Sequence, residues 1–279
     1  MEYMYGILGI SRQGLYKAGR KAEQDALLWQ RLRDIVLEVR IDYPRSSARK
    51  IHYMLGIKEV GINRFERFVS EQGLSVKKPS SFIRTTYSGP FKYPNLVNGI
   101  QLNGINQLWV SDLTYFLTPN GTLYIVLIMD VYSRRIIGYS VSDNMFVTNN
   151  QEALEMAFKT RGQVYFENLI HHSDKGSQYG AKVYVSMLGS ANIQISMAET
   201  CLENPYAERI NGIIKNDYLI AYHICTLQQL KKALPKAIEL YNNYPHGKLK
   251  LKSPLGFENV LGQLDGAGYP VMKLYDFTK

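Results

Sequence analysis

Three carboxylates occupy positions where an acid calls for a reason. Asp112 falls inside LWVSDLTYF (Leu108–Phe116), a run whose aromatic and β-branched residues read as a buried strand. An ionised carboxylate there is costly unless it is paired or binds a metal. Its same-face neighbours at period two are Val110 and Thr114, with Leu108 beyond, and none of them neutralises it. Asp174 follows the short strand ending at His172 in HHSDKGSQY, and strand ends are where α/β sheets place their chemistry. Glu208 lies in NPYAERINGIIKNDY, where Asn204 suits an N-cap and Pro205 the first helical position. Ile210, Ile213, Ile214 and Tyr218 form the apolar stripe of that helix. Asn204, Glu208, Asn211 and Lys215 fall at i, i+4, i+7 and i+11 and share the opposite stripe.

Three such acids suit two-metal chemistry on phosphorus. Mg²⁺ is a hard cation that keeps several waters and takes few carboxylates. Two ions about 4 Å apart can activate an attacking hydroxyl and stabilise a leaving oxygen. The expected site therefore draws Asp112, Asp174 and Glu208 to within about 4–8 Å of one another. Each acid also has a plain alternative. Asp112 can be a paired core acid, Asp174 a loop or capping residue, and Glu208 a solvated helix residue. His171 and His172 can order the site or touch DNA, or be satisfied structural histidines. Asp130 and Ser133 read as turn residues bonding their own backbone, and Trp109 as core.

The elements that must position these groups follow from periodicity. LYIVLIMDVY (Leu123–Tyr132) and RRIIGYSVS (Arg134–Ser142) read as two further strands, the first entered through Pro119-Asn120-Gly121, a hairpin signal. Helices near residues 149–158 and 181–190 then alternate with strands at residues 168–172 and 193–197. Three antiparallel strands followed by helix-strand-helix-strand-helix predict a ribonuclease H-like α/β core with a mixed sheet. Upstream, short helices are expected from Ser11, from Glu23 to Val39, from Ser47 to Leu55, and from an Asn63 cap to Gln72. The last two, joined through Gly56 and Gly61, suit a helix-turn-helix over about residues 47–73. The expected division is a small all-α arm (1–75), an extended Pro- and Ser-containing linker (76–105), the catalytic core (106–225), and a C-terminal helix and tail (226–279).

Composition excludes several classes. With 279 residues, 46% of them hydrophobic, the chain can bury at least one core and is neither disordered nor collagen-like. Only Cys201 and Cys225 are present, so no disulfide framework is implied. No apolar run approaches the length of a membrane span, and no secretory signal is visible. Residues 1–100 hold 17 Lys/Arg against 9 Asp/Glu, whereas the rest hold 16 against 15. A basic arm on a near-neutral core fits a polyanion partner. The candidate DNA contacts are Arg49, Asn63, Arg64 and Arg67, then Lys77 and Lys78, and Lys175, Asn211 and Lys215 beside the acids.

WVSDLTYF, VYSRRIIGYSVS, HHSDKGSQY and NPYAERINGIIK, in that order, resemble the integrase core of bacterial insertion-sequence DDE transposases. These are the group whose second reading frame encodes a retroviral-integrase-like catalytic protein. YPRSSARKIHYML with NRFERFVSEQGLSVKK resembles the family's helix-turn-helix, and NNYPHGKLKLKSPLGF (Asn242–Phe257) its C-terminal motif. The resemblance runs from about Arg45 to Leu255. It carries the acidic triad onto Asp112, Asp174 and Glu208, separated by 61 and 33 residues. The second interval is slightly shorter than usual, because AETCLE lacks the family's Gly-containing turn. Glu199 and Glu203 are weaker candidates for the third acid, since neither fits the polar stripe as well.

What the resemblance implies is a transposase that binds element-end DNA and performs metal-dependent strand cleavage and strand transfer. Two Mg²⁺ ions, replaceable by Mn²⁺, are the implied cofactors. The implied partners are double-stranded DNA at element ends and target, a second copy of the chain, and the product of an upstream reading frame. That product is expected to supply another helix-turn-helix and a coiled coil. The implied location is the bacterial cytoplasm, at the nucleoid, with no membrane role. The alternatives are a ribonuclease H-like nuclease that cuts without joining, or an inactive DNA-binding remnant.

Overall fold

A computed structural model describes residues 11–76, 93–264 and 268–274. The chain divides into two units, Met1–Val76 and Lys77–Lys279.

The first unit is helical. Ser11 accepts a hydrogen bond from the Gly14 amide at 3.0 Å and starts α1 (Arg12–Asp42). The two separate helices expected from Ser11 and from Glu23 are thus one. Lys17 to Glu23 contains no proline, and its long unbranched side chains continue a helix although no apolar stripe marks it. Pro44 lies just beyond its end. Ser47 caps α2 (Ala48–Leu55), and Gly56 closes it at φ 60°, a left-handed position that favours glycine. The cap of α3 (Ile62–Glu71) is Gly61 rather than the expected Asn63. The Gly61 carbonyl accepts from both Arg64 and Phe65, which leaves Asn63 in the first turn. Leu32 and Val36 of α1 bury against Ile51, Val60, Phe65 and Val69, so a single apolar cluster fixes the helix-turn-helix pair on α1.

The second unit is built on a mixed sheet. Its strands are β2 (Leu108–Thr118), β3 (Gly121–Asp130), β4 (Ile136–Ser142), β5 (Ile170–Ser173) and β6 (Gln194–Met197), in the order β4-β3-β2-β5-β6. The first three pair antiparallel, and β5 and β6 join parallel. This is the ribonuclease H-like arrangement. Pro119-Asn120 forms a two-residue turn between Thr118 and Gly121, and Gly121 takes φ 127°.

One face of the sheet is the core. Trp109 is fully buried and meets Phe166 at 4.8 Å. Over this face lie α4 (Val147–Arg161) and α5 (Lys182–Ser190), which contribute Ala153, Leu154, Tyr184 and Leu188. Gly138 lets α4 approach β4 so closely that a Cβ would run into the Ala153 carbonyl. The opposite face, carrying Val110, Asp112 and Thr114, receives α6 (Pro205–Ile213). Beyond Ile213 the helix widens to π geometry over Ile214–Tyr218, a local form often met at functional sites. The C-terminal part holds α7 (Leu227–Asn243), α8 (Pro254–Leu261) and β7 (Met272–Lys273). Of the expected linker, residues 77–92 lie outside the described residues. The remainder is extended but tied to this unit: Leu96 N–H bonds Ser196 Oγ at 2.9 Å, and β1 (Gln101–Leu102) pairs with β7. Among the described residues no helix is long and apolar enough to cross a membrane.

Candidate active site

The sheet sets the first two acids side by side. In the parallel β2–β5 pair, Leu108 faces Ile170, Trp109 faces His171 and Val110 faces His172. Asp112 continues β2 two residues beyond the last of these pairs, Asp174 follows β5 by one residue, and the charge of Asp174 acts on Asp112. Neighbouring strands are about 4.8 Å apart, and residues in register share a face. The third acid comes from α6, which lies along β2. Asn204 Nδ2 donates to the Ser111 carbonyl at 3.1 Å, and Asn211 Nδ2 donates to Asp112 Oδ2 at 2.8 Å. Lys215 Nζ donates to Thr114 Oγ1 at 2.8 Å. Glu208 sits between Asn204 and Asn211 on this stripe. Asn204 was expected to cap α6 with its side chain; it spends its amide on β2 instead, and no side-chain cap bond forms.

Asp112, Asp174 and Glu208 line one open cavity of about 1680 Å³. Burial pushes the Asp112 carboxyl well above its ordinary range, and the charges of Asp174 and Glu208 push the same way. The Asn211 amide and the Lys215 ammonium oppose this. Partial burial also raises Glu208. Among the described residues, no three His, Cys, Asp or Glu side chains gather tightly enough to cage a metal. Glu208 is exposed on the cavity wall.

The other acids and the histidines are occupied elsewhere. Glu199 pairs with Lys175 at 2.7 Å. Glu203 accepts from Asn95 Nδ2 at 2.6 Å and from the Glu199 amide at 2.9 Å. His171 contacts the Tyr184 hydroxyl, and His172 contacts Ser196 Oγ and the Glu203 carbonyl. Burial lowers these imidazoles to about 3 and about 4, so both stay neutral structural groups. Asp130 accepts from the Tyr132, Ser133 and Asn106 amides and pairs with Arg161, as a turn acid does.

The expected DNA contacts are distributed as follows. Asn63, Arg64 and Arg67 are exposed on α3, and Arg64 also stacks over Trp29 at 5.1 Å. Arg49 is exposed but held by Glu66 at 2.6 Å. Lys175 is tied to Glu199, and Lys215 to β2. Asn211 is buried against Asp112. Lys77 and Lys78 lie outside the described residues.

Two models of one family, described as the integrase core domain, match residues 103–201 and 191–254. The first range contains Asp112 and Asp174, and the second contains Glu208. A 31 kDa protein of insertion element IS600 from Shigella sonnei is 31% identical over 275 residues, 94% of this chain and 99% of that protein. The transposase InsF of insertion sequence IS3fB from Escherichia coli is 30% identical over 195 residues, 67% of each chain. The chain belongs to the insertion-sequence DDE transposases. Its place is among the nucleic-acid-processing enzymes of DNA transposition. The HTLV-2 integrase catalytic core domain in complex with magnesium is 20% identical and covers 55% of this transposase-family chain and 94% of its own, with a TM-score of 0.45.

One cavity residue had no signal in the sequence reading. Arg134 appears there only as the start of a strand after a turn. The structure puts it in that turn at φ 62°, buried, with its guanidinium over the Tyr206 ring.

Proposed function

We propose that the protein binds double-stranded DNA through its helical first unit and cuts and joins DNA strands at Asp112, Asp174 and Glu208. What supports the reading is that Asp112, Asp174 and Glu208 line one open cavity and that the charges of the other two acids act on Asp112. A divalent cation such as Mg²⁺ fits this donor set. All three candidate ligands are hard oxygen donors, and the raised Asp112 carboxyl marks a site where added positive charge is stabilising. The buried Asn211 Oδ1 accepts no hydrogen bond, as suits a position beside cation-bound water. Asp112, Asp174 and Glu208 would hold the ions, two in number, which would supply Lewis-acid polarisation of the reacting phosphate and a lowered pKa for its nucleophile.

The chain's own residues have distinct parts. Asn211 fixes the Asp112 carboxylate through Oδ2. Lys215 braces β2 beside it, over the Tyr115 ring at 5.1 Å. Glu208 would complete the ligand set from the cavity wall, where its side chain is exposed. Water in the cutting step, and a DNA 3′-hydroxyl in the joining step, would attack phosphorus in line and break its bond to the departing 3′-oxygen, which leaves with a proton, so no protein nucleophile is needed. Asn63, Arg64 and Arg67 of α3 face outward to meet duplex, with Arg49, Lys77 and Lys78 adding charge. Self-association, and the product of an upstream reading frame, belong to the same reading.

The test is incubation of the full chain with labelled element ends and Mg²⁺, scoring nicked and joined strands. Asp112→Asn is expected to abolish both while leaving duplex binding in chelator nearly intact. Wild-type cleavage by Asp112→Asn would remove the triad, and nicking without joined product would reduce the protein to a nuclease.

A further inference from the structure

Three arginines stand around the β3–β4 turn and the helix behind it, and only two have counter-ions. Arg135 pairs with Glu258 at 2.6 Å, and Arg161 pairs with Asp130 at 2.8 Å and Glu258 at 2.9 Å. Arg134 is 8% exposed and makes no ion pair among the described residues. Its neighbours are the Tyr206 ring at 4.4 Å, Met272 Sδ at 3.9 Å and a second cation, Arg209. Burial lowers its pKa while Tyr206, which also takes a hydrogen bond from it, and Tyr241 pull the other way, so phenols but no carboxylate among the described residues answer its charge.

The backbone goes to some trouble to hold this residue. Arg134 has φ 62°, a left-handed conformation that is strained for a residue with a side chain. The Tyr241 hydroxyl donates to its carbonyl at 3.0 Å, and Asp130 Oδ1 accepts from the preceding amide at 3.2 Å. A structure that stores strain and a bare charge at one residue points to a ligand that relieves the charge. Arg134 lines the same cavity as the three acids. So do Arg209, Lys248, Lys250 and Lys252, none of which pairs with a carboxylate among the described residues. The three lysines project from a tight loop in which His246 N–H bonds the Lys252 carbonyl at 3.0 Å. The cavity therefore carries basic groups as well as the three acids.

We propose that Arg134 is a DNA-phosphate ligand, a buried guanidinium kept without a counter-ion so that a phosphodiester of the bound DNA supplies it. Arg209 and the lysines at 248, 250 and 252 extend that contact along the backbone of the same DNA. The inference rests on the DNA-processing reading of the cavity and adds to it a subsite distant in sequence from the triad. It also makes an unusual demand on stability. A residue kept for packing is missed when it is removed. A residue kept for an absent anion is not missed until the anion is present.

The test uses the full chain, a short random-sequence duplex and chelator, so that catalysis plays no part. Melting temperature is read with and without duplex, and affinity is read by fluorescence anisotropy across a salt series. Arg134→Gln is expected to melt at or above wild type without DNA, and to gain less from added duplex. Its log K against log [salt] slope should be shallower by about 0.9, the loss of one phosphate contact. Arg134→Lys keeps the charge and should retain most of the slope. If Arg134→Gln melts lower and binds with unchanged slope, Arg134 is a packing residue on Tyr206 and the proposal falls. If Arg134→Gln and Arg134→Lys lose slope equally, charge is not the cause and the proposal falls as well. Failure of wild type to bind duplex would overturn the functional reading together with this subsite. Intact wild-type binding beside an unchanged Arg134→Gln slope would overturn the subsite alone.

Discussion

Replacing Asp112 by asparagine should stabilise the metal-free protein. Asp112 on β2 and Asp174 just past β5 belong to neighbouring strands, whose spacing is about 5 Å. Once Asp112 ionises, above its raised value of about 8, two unit charges at that distance, in an effective dielectric of about 20, repel by about 3 kcal/mol. Lys215 and the open side of the cavity screen part of this, leaving roughly 1–3 kcal/mol to be recovered by the neutral side chain. At about 2–4 °C per kcal/mol for a unit of this size, the gain is several degrees of melting temperature. The asparagine carbonyl still accepts from Asn211, so no hydrogen bond is lost. The gain depends on pH with a definite sign. Asp112 is raised in the folded state, so the unfolded chain releases this proton first as pH rises. Wild-type stability therefore falls as pH climbs through the raised folded value, and the variant lacks that fall. Calorimetry in chelator, from mildly acidic to mildly alkaline pH, reads both effects. Added Mg²⁺ should then reverse the order, since wild type gains RT ln(1 + [Mg²⁺]/Kd) and the variant gains less. A lower melting temperature for Asp112→Asn in chelator, with equal gains from Mg²⁺, would refute the paired-acid argument.

Lys215→Ala removes the bonds to Thr114 and Tyr115 and should cost about 1–2 kcal/mol in urea unfolding, with a smaller change in DNA salt slope than Arg134→Gln; full stability would show that the braces are idle. His171 and His172 are held neutral at about 3 and about 4, while the unfolded chain takes up protons below about 6.5. Stability should consequently fall as pH drops from that range towards the folded values, and His171→Gln should flatten the fall; an unchanged slope would contradict it. Arg161→Met strands Asp130 as a buried carboxylate and should cost about 3–5 kcal/mol, so a loss under about 1 kcal/mol would count against the network's role.

The strands and the face of α6 that meets β2 were legible because their signals are local. Alternating aromatic and β-branched residues mark β2, and Pro119-Asn120-Gly121 marks its turn. The stripe Asn204, Glu208, Asn211, Lys215 gave the face of α6 that meets β2. What escaped depends on contacts between distant segments. Asn204 has the chemistry of a cap, yet the Ser111 carbonyl, 93 residues away, claims its amide. Asn63 likewise suits a cap, but the Gly61 carbonyl already closes the first turn of α3. The continuous α1 carries no apolar stripe in its first half, so no local signal joined its two ends into one helix. The π segment at Ile214–Tyr218 leaves the apolar spacing unchanged and gives no residue-level sign. Arg134 is invisible for another reason: being unpaired is a property of its surroundings, and neighbouring Arg135 is paired.

The β2–β5 pairing that brings Asp112 near Asp174 divides the chain into places where length is free and places where it is not. The 61 residues between them include β3, β4 and α4, and their loops can grow or shrink without shifting either carboxylate. Main-chain hydrogen bonds, not the path of the intervening chain, measure the gap. One residue inserted between Val110 and Asp112 is a different matter, because it turns the acid to the Trp109 side of the sheet. The same holds between His172 and Asp174. Length variation among copies of such an element should therefore collect after Thr118 and after Arg161, while these two-residue steps stay incompressible. A scan of single-residue insertions, scored for strand cutting, would trace that boundary directly.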